Sequence, residues 1–223
     1  MLSNRLSCIL SQINPCETLC DIGSDHALLA IEAINHSIAN RVICAENKRG
    51  PLKRGLENVK KHRLEEKIEF VLSDGASKII KPCDAWVIAG MGAETIIQII
   101  DDSIDKAKCL KQLVLQPQSK LPYFRNKMNE LGFYCVNETL IHDDKFYHIF
   151  VYRFQEDLKK ISEKEIYIGS QTLKKNPQLF QQWVYENIQK LKPIYLLNNE
   201  NNLMYQYFNQ ELSSNQSQDM DSD

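Results

Sequence analysis

Four acidic residues stand where short apolar runs give way to turns: Asp21 and Asp25 in DIGSDH (21–26), Glu46 after RVICA, and Asp74 in SDG (73–75). Carboxylates so placed can accept hydrogen bonds from hydroxyls and amines, or take up a proton during a reaction. Gly23 permits a tight turn and a close backbone approach to a ligand. The dinucleotide fingerprint GxGxxG is absent, because Asp25 stands where its second glycine would be. An anionic side chain there opposes a pyrophosphate but tolerates a sulfonium cation. The turn therefore argues against a nicotinamide enzyme and for a positively charged cofactor.

The other acids have defined uses at such positions. Glu46, about 20 residues past the first turn, can accept both hydroxyls of a ribose; a solvent-facing loop acid is the plain alternative. Asp74, followed by Gly75, could accept from an adenine amine, or simply make an Asp-Gly turn. Gly90-Met91-Gly92 lets main-chain carbonyls reach into a site while the thioether packs beside an aromatic ring. Gln116-Pro117 puts an amide beside a rigid turn, where it could read a base edge. Asp25 could equally cap the helix that follows it.

These residues must be positioned by the elements around them. Residues 4–13 have helical spacing in Leu6, Ile9, Leu10 and Ile13. Strand and helix then alternate. Strands are expected at 18–22, 41–45, 67–72, 85–89 and 112–115, with helices at 27–35, 51–63 and 93–100. Such alternation implies right-handed crossovers and a parallel sheet covered on both faces. A helix at 123–131 leads to runs at 133–136 and 147–152, whose separation is too short for a helical crossover, so they pair antiparallel. The expected fold is α/β, a Rossmann-like sheet of five parallel strands closed by an antiparallel hairpin, over residues 1–154. A helical, coiled-coil-like appendage is expected over 155–212, with helices at 162–175, 178–192 and 194–210, and a disordered Ser/Gln/Asp-rich tail over 213–223.

The composition narrows the function class. With 43% hydrophobic and 25% charged residues the chain has the balance of a soluble globular protein. No apolar stretch approaches the roughly 18 residues of a membrane span, and the N-terminus lacks a secretory pattern, which points to the cytoplasm. Seven dispersed cysteines, an odd number, are expected as buried reduced thiols; Cys16 and Cys20 have no matching Cys/His pair, so no metal site is expected. The net charge of −2 makes no case for a polyanion partner. Locally, however, residues 48–67 hold eight basic residues against three acidic, including Lys53, Arg54, Lys60 and Lys61. Such a patch could meet phosphates or be a solvated helix face.

Taken together, DIGSDHALLA (21–30), GPL (50–52), SDG (73–75), IAGMGAE (88–94), LQPQ (115–118), Lys145-x-Tyr147 and Arg5-Leu6 near the start resemble the bacterial tRNA (adenine(22)-N(1))-methyltransferase family. The likeness spans roughly residues 2–152 and is less distinct beyond. Leu28 and Ala30 stand where Tyr and Pro are common, Glu46 where Asp is usual, Ala93 where a third Gly is frequent, and Gln118 where Asn is typical. The resemblance implies S-adenosylmethionine as cofactor, with Asp21, Gly23, Glu46, Asp74, Gly75, Gly90 and Met91 around it. It implies tRNA as partner and an appendage that helps grip the tRNA; separately, a monomer is expected. Residues 155–223 hold seven basic against ten acidic residues, so the 48–67 patch must carry much of the phosphate contact.

For that reaction N(1) of adenine displaces the methyl group directly, and the base must first leave its stack. Asp25 is the candidate to take the amine proton or hold the amine, and His26 the second candidate. Gly92, Gln116, Pro117, Arg125, Lys145 and Tyr147 are expected on the substrate side, although Tyr147 could equally be a core aromatic. Two other functions compete: methylation of a small molecule or protein, for which the basic patch would be incidental, and an inactive tRNA-binding module.

Overall fold

A computed structural model describes residues 2–220, with side chains through residue 213. After α1 (Asn4–Ser11) the chain alternates through β1 (Cys16–Ile22), α2 (Leu28–Asn35), β2 (Ala39–Glu46), α3 (Arg49–Lys61), β3 (Ile68–Leu72) and β4 (Ala85–Met91). It continues with α4 (Ala93–Asp101), α5 (Ile104–Lys108), β5 (Gln112–Pro117), α6 (Leu121–Glu130), β6 (Phe133–His142) and β7 (Phe146–Phe154). The strands form one sheet in the order β3-β2-β1-β4-β5-β7-β6, the first five parallel and β7 antiparallel to both neighbours. This is the expected Rossmann-like sheet.

The central strands read as unbroken apolar runs because helices cover both faces. Alternate residues of one strand serve opposite cores. On β4, Trp86 and Ile88 pack with Ile96 and Ile100 of α4 and with Phe124 and Met128 of α6. Val87 faces the other way, toward Ile9 of α1, Ile31 of α2 and Val59 of α3. Strand order reverses at β1, whose neighbours are β2 on one side and β4 on the other. The crossovers leave in opposite directions there, which opens a crevice beyond the carboxyl ends of the strands.

The hairpin strands are longer than their apolar runs suggest, leaving only residues 143–145 as the loop between them. The C-terminal part also departs from expectation. The single helix expected over 162–175 is two pieces, α7 (Glu163–Ile168) and a 3₁₀ helix over Gln171–Lys175. Gly169 separates them at φ +103°, where an added Cβ would lie 2.7 Å from Glu138 Oε2 and 2.9 Å from Arg125 Nη2. Then come α8 (Pro177–Leu191) and α9 (Asn199–Met220). Phe180, Trp183, Val184 and Ile188 of α8 pack with Phe208 of α9 and Leu140 of β6, giving the appendage its own core. Helix α9 runs through the segment expected to be disordered as far as Met220, and residues 221–223 lie outside the described residues.

All seven cysteines are free thiols, as expected, but only Cys20 and Cys44 are buried and Cys109 is exposed. Among the described residues no helix is long and apolar enough to cross a membrane.

Candidate active site

A cavity of about 510 Å³ opens at the carboxyl ends of β1 to β4, between Gly23, Glu46, Asp74 and Met91, with Thr95 and Ile99 of α4 forming its far wall. Gly23 adopts φ +80°, and an added Cβ would run into the Met91 methyl group, so the turn after β1 and the end of β4 can approach this closely only with glycine. Gly75, at φ +54°, admits Ile99 in the same way. Glu46 is buried. Its Oε1 accepts from the Ser24 hydroxyl at 3.2 Å and, by a short bond, from the Asp25 backbone N–H. Beneath the turn lies Asp21, 5% exposed, with Oδ2 lacking a hydrogen-bond partner among the described residues. Burial, and secondarily the Glu46 charge, push its carboxyl up to about 7.

Asp25 and His26 project from the lip of this cavity, both exposed. Asp25 holds φ +46°, a left-handed conformation costly for a non-glycine residue and common at functional turns. It does not cap α2. Ala27 occupies the cap position and supplies no side-chain bond. The Asp25 carboxylate instead meets Arg54 of α3 at 3.2 Å and His26 Nε2 at 3.7 Å. Gly55 lets α3 come this near, since a Cβ there would press on Phe70 and lie 3.2 Å from the Asp25 carbonyl. Arg54 thus belongs to the site, while Lys53, Lys60 and Lys61 lie farther along the exposed side of α3.

Across the end of β4 the register with β5 shifts between Ala89 and Met91, and Gly90 turns at φ +78°. Gly92 follows as the N-cap of α4. Above Gly90 sits a cluster that sequence reasoning did not assemble. Arg5 of α1 donates to Gln116 Oε1 at 2.7 Å, and its guanidinium lies 5.5 Å from the Tyr147 ring centre. Lys145 Nζ lies 5.2 Å from the same ring and donates to Gln118 Oε1 at 3.3 Å. The Tyr147 hydroxyl donates to Asp144 at 2.7 Å. Tyr147 is therefore a half-exposed surface aromatic rather than a core one.

Three residues expected on the substrate side are buried. Gln116 and Pro117 are buried, with Gln116 accepting from Arg5. Arg125 is 3% exposed. Its Nη2 lies 2.6 Å from Glu138 Oε1, and its Nη1 donates to the Ile166 carbonyl at 2.9 Å. Burial alone would raise the Glu138 carboxyl, but Arg125 and His148 hold it down to about 2. Arg125 ties the appendage to the sheet. Among the described residues, no group of three or more His, Cys, Asp or Glu comes together to hold a metal.

This strand order, with an antiparallel β7 between β5 and β6 and a carboxylate-lined cleft above β1, defines a Rossmann-like methyltransferase. The model of one family within that class, tRNA (adenine(22)-N(1))-methyltransferase, matches residues 19–217, and the chain belongs to this family. It is 32% identical over 152 residues to the tRNA (adenine(22)-N(1))-methyltransferase of Bacillus subtilis, an alignment covering 67% of this chain and 64% of that enzyme, so it spans just under two thirds of that relative's length. Its fold matches a Streptococcus pneumoniae protein solved with S-adenosyl-L-methionine (TM-score 0.85, 27% identity, 94% of this chain and 99% of that one). It also matches M. capricolum TrmK solved with S-adenosyl-homocysteine (TM-score 0.79, 25% identity, 96% and 95%).

Proposed function

We propose that this chain transfers a methyl group from S-adenosylmethionine to N(1) of the adenine at position 22 of tRNA. The observation that carries the proposal is the turn at Asp25, where one bond from its backbone N–H to Glu46 joins the cavity to the exposed lip. The cavity volume suits a small-molecule cofactor. An unpartnered buried acid at Asp21 fits a cationic ligand, and the glycine cradle at Gly23 leaves room for a chain lying against it. Glu46 keeps acceptor capacity for ribose hydroxyls, since a carboxylate offers about four lone-pair sites. Asp74 and Gly75 close the adenine end, and Gly90 and Met91 border the reacting end.

When bound, the cofactor supplies an electrophilic methyl group on a positively charged sulfur. The protein's task is to hold the acceptor nitrogen in line with it. Methyl transfer to N(1) would leave the adenine cationic. Asp25 then holds the exocyclic amine and accepts its proton, with Arg54 steadying the carboxylate; His26 orients the base from the same lip. The base reaches this lip only when swung out of its stack. The exposed lysines of α3 take tRNA phosphates. The appendage over 155–212 adds a contact of a different kind, because Lys164 and Lys174 are engaged by Glu211, and Lys190 lies beside Glu186. The protein works as a cytoplasmic monomer in this scheme, since both halves of the site lie in one chain.

The test is Asp25→Ala assayed with labelled S-adenosylmethionine and unmodified tRNA, with the modified nucleotide mapped. Cofactor binding within about threefold of wild type and a loss of turnover of about 10²-fold or more are expected. Retained turnover would remove Asp25 from the reaction, and label at another nucleotide in the wild-type product would move the substrate assignment.

A further inference from the structure

We propose that Arg5 and Lys145 form a clamp for the backbone phosphate beside the target adenosine, with the Tyr147 ring as their common platform. The inference rests on the methyltransferase reading above and adds Arg5, which the fold brings to the same ring as Lys145. Arg5 lies over Gly90: a Cβ built there would be in ordinary contact with Arg5 Nη1 at 3.5 Å and Gln118 Nε2 at 3.8 Å. The next residue, Met91, lines the cofactor cavity and abuts Gly23. Arg5 therefore stands beside the strand end that borders the cavity, with Lys145 linked to it through Gln118 and the Tyr147 ring.

The cluster is built to present two cations. Lys145 is exposed and Arg5 half-exposed, yet each is held by a neutral amide, Gln118 and Gln116, rather than by a carboxylate. Gln116 itself is 0% exposed and locked by donating to the Pro117 carbonyl at 2.9 Å, so it fixes one guanidinium nitrogen, and among the described residues it is the hydrogen-bond acceptor Arg5 meets. Two acids stand nearby: Asp144, which accepts from the Tyr147 hydroxyl and feels the Lys145 charge, and Asp143. The Tyr147 ring carries both cations, each within 5.5 Å of its centre. A guanidinium and an ammonium gathered on one ring and tethered by uncharged groups suit a phosphodiester anion.

Arg5→Ala and Arg5→Lys, with Lys145→Ala as a second entry to the same clamp, separate this role from a structural one. Each variant is measured for tRNA affinity across a salt series, for S-adenosylmethionine affinity, and for turnover. A phosphate contact predicts that Arg5→Ala and Lys145→Ala each weaken tRNA binding about tenfold and flatten the slope of log affinity against log salt by about one, with cofactor affinity unchanged. Arg5→Lys should retain the slope while losing affinity, since charge remains and the fork does not. If the slopes stay at the wild-type value, or if cofactor affinity falls with tRNA affinity, the clamp is overturned. Wild-type protein run in parallel reports on the underlying reading separately: failure of the wild type to methylate tRNA defeats the function, whereas a functioning wild type with unaltered slopes in the variants defeats only the clamp.

Discussion

On the proposed reading, Asp21 is expected to make cofactor binding depend on pH. Its carboxyl is buried, has one oxygen without a partner, and is raised to about 7 by burial and by Glu46. A cationic ligand favours the ionised form, so only the fraction of protein with Asp21 ionised is competent and the apparent affinity scales with it. At pH 5.5 that fraction is about 3%, and at pH 7 about one half, a rise in S-adenosylmethionine affinity of about fifteenfold. The ligand's own amine stays charged across this window, since an α-amino group titrates near ~8. Calorimetry in buffers of different ionisation enthalpy should register nearly one proton released per ligand at pH 5.5 and about half a proton at pH 7. Asp21→Asn, which mimics the protonated acid, should bind weakly and with no slope. A flat wild-type profile, or the same slope in Asp21→Asn, would refute the assignment of Asp21 to the cationic end of the cofactor. The ligand-free protein should show the opposite trend in stability. A carboxyl whose folded pKa lies above its unfolded value near 3.8 stabilises fully below that value and loses the contribution as pH rises to about 7, by up to about 4 kcal/mol.

Arg125→Ala leaves Glu138 charged and buried, which should cost about 3–5 kcal/mol in denaturant unfolding; a loss under 1 kcal/mol would mean the pair is not closed as described. Gly23→Ala meets both the positive φ and Met91, so a melting point lowered by about 1–2 kcal/mol worth of strain is expected together with weaker cofactor binding, and unchanged binding would argue against a tight turn there. Lys60→Gln with Lys61→Gln should flatten the salt dependence of tRNA binding by about two, and an unaltered slope would take the end of α3 out of the interface.

The alternating core was legible because a two-sided parallel sheet writes itself as short apolar runs separated by helical periods. Strand-end chemistry followed from the same rule: Asp21, Glu46, Asp74 and Gly90 are close in space because parallel strands put their carboxyl ends on one side. Lateral partners were not legible. Arg125 looked like a surface cation near the start of a helix, and nothing local marks Glu138 on a strand of unknown register as its partner. Arg5 is 111 residues from Gln116, and only the docking of α1 across β5 and β7 brings them together. Gly169 sat inside an otherwise periodic segment, so its role as a break depended on the Glu138 and Arg125 side chains beneath it.

On the proposed reading, Asp21 to His26 is a single turn with two duties, and its backbone geometry explains how they are kept apart. Residues 21 and 23 face inward: Asp21 is buried, and Gly23 closes on Met91 with its N–H on the Ala45 carbonyl at 2.8 Å. At Asp25 the chain enters the left-handed region, which turns that side chain outward to Arg54 and His26 while its N–H stays on Glu46. The carboxylate best placed for the cofactor's ribose therefore also fixes the conformation of the residue best placed for the acceptor. A loop carrying these acids without that bond would have to order itself with each substrate; here the ordering is done in the fold, and the left-handed strain at Asp25 is offset by a charge-assisted bond to a buried acceptor.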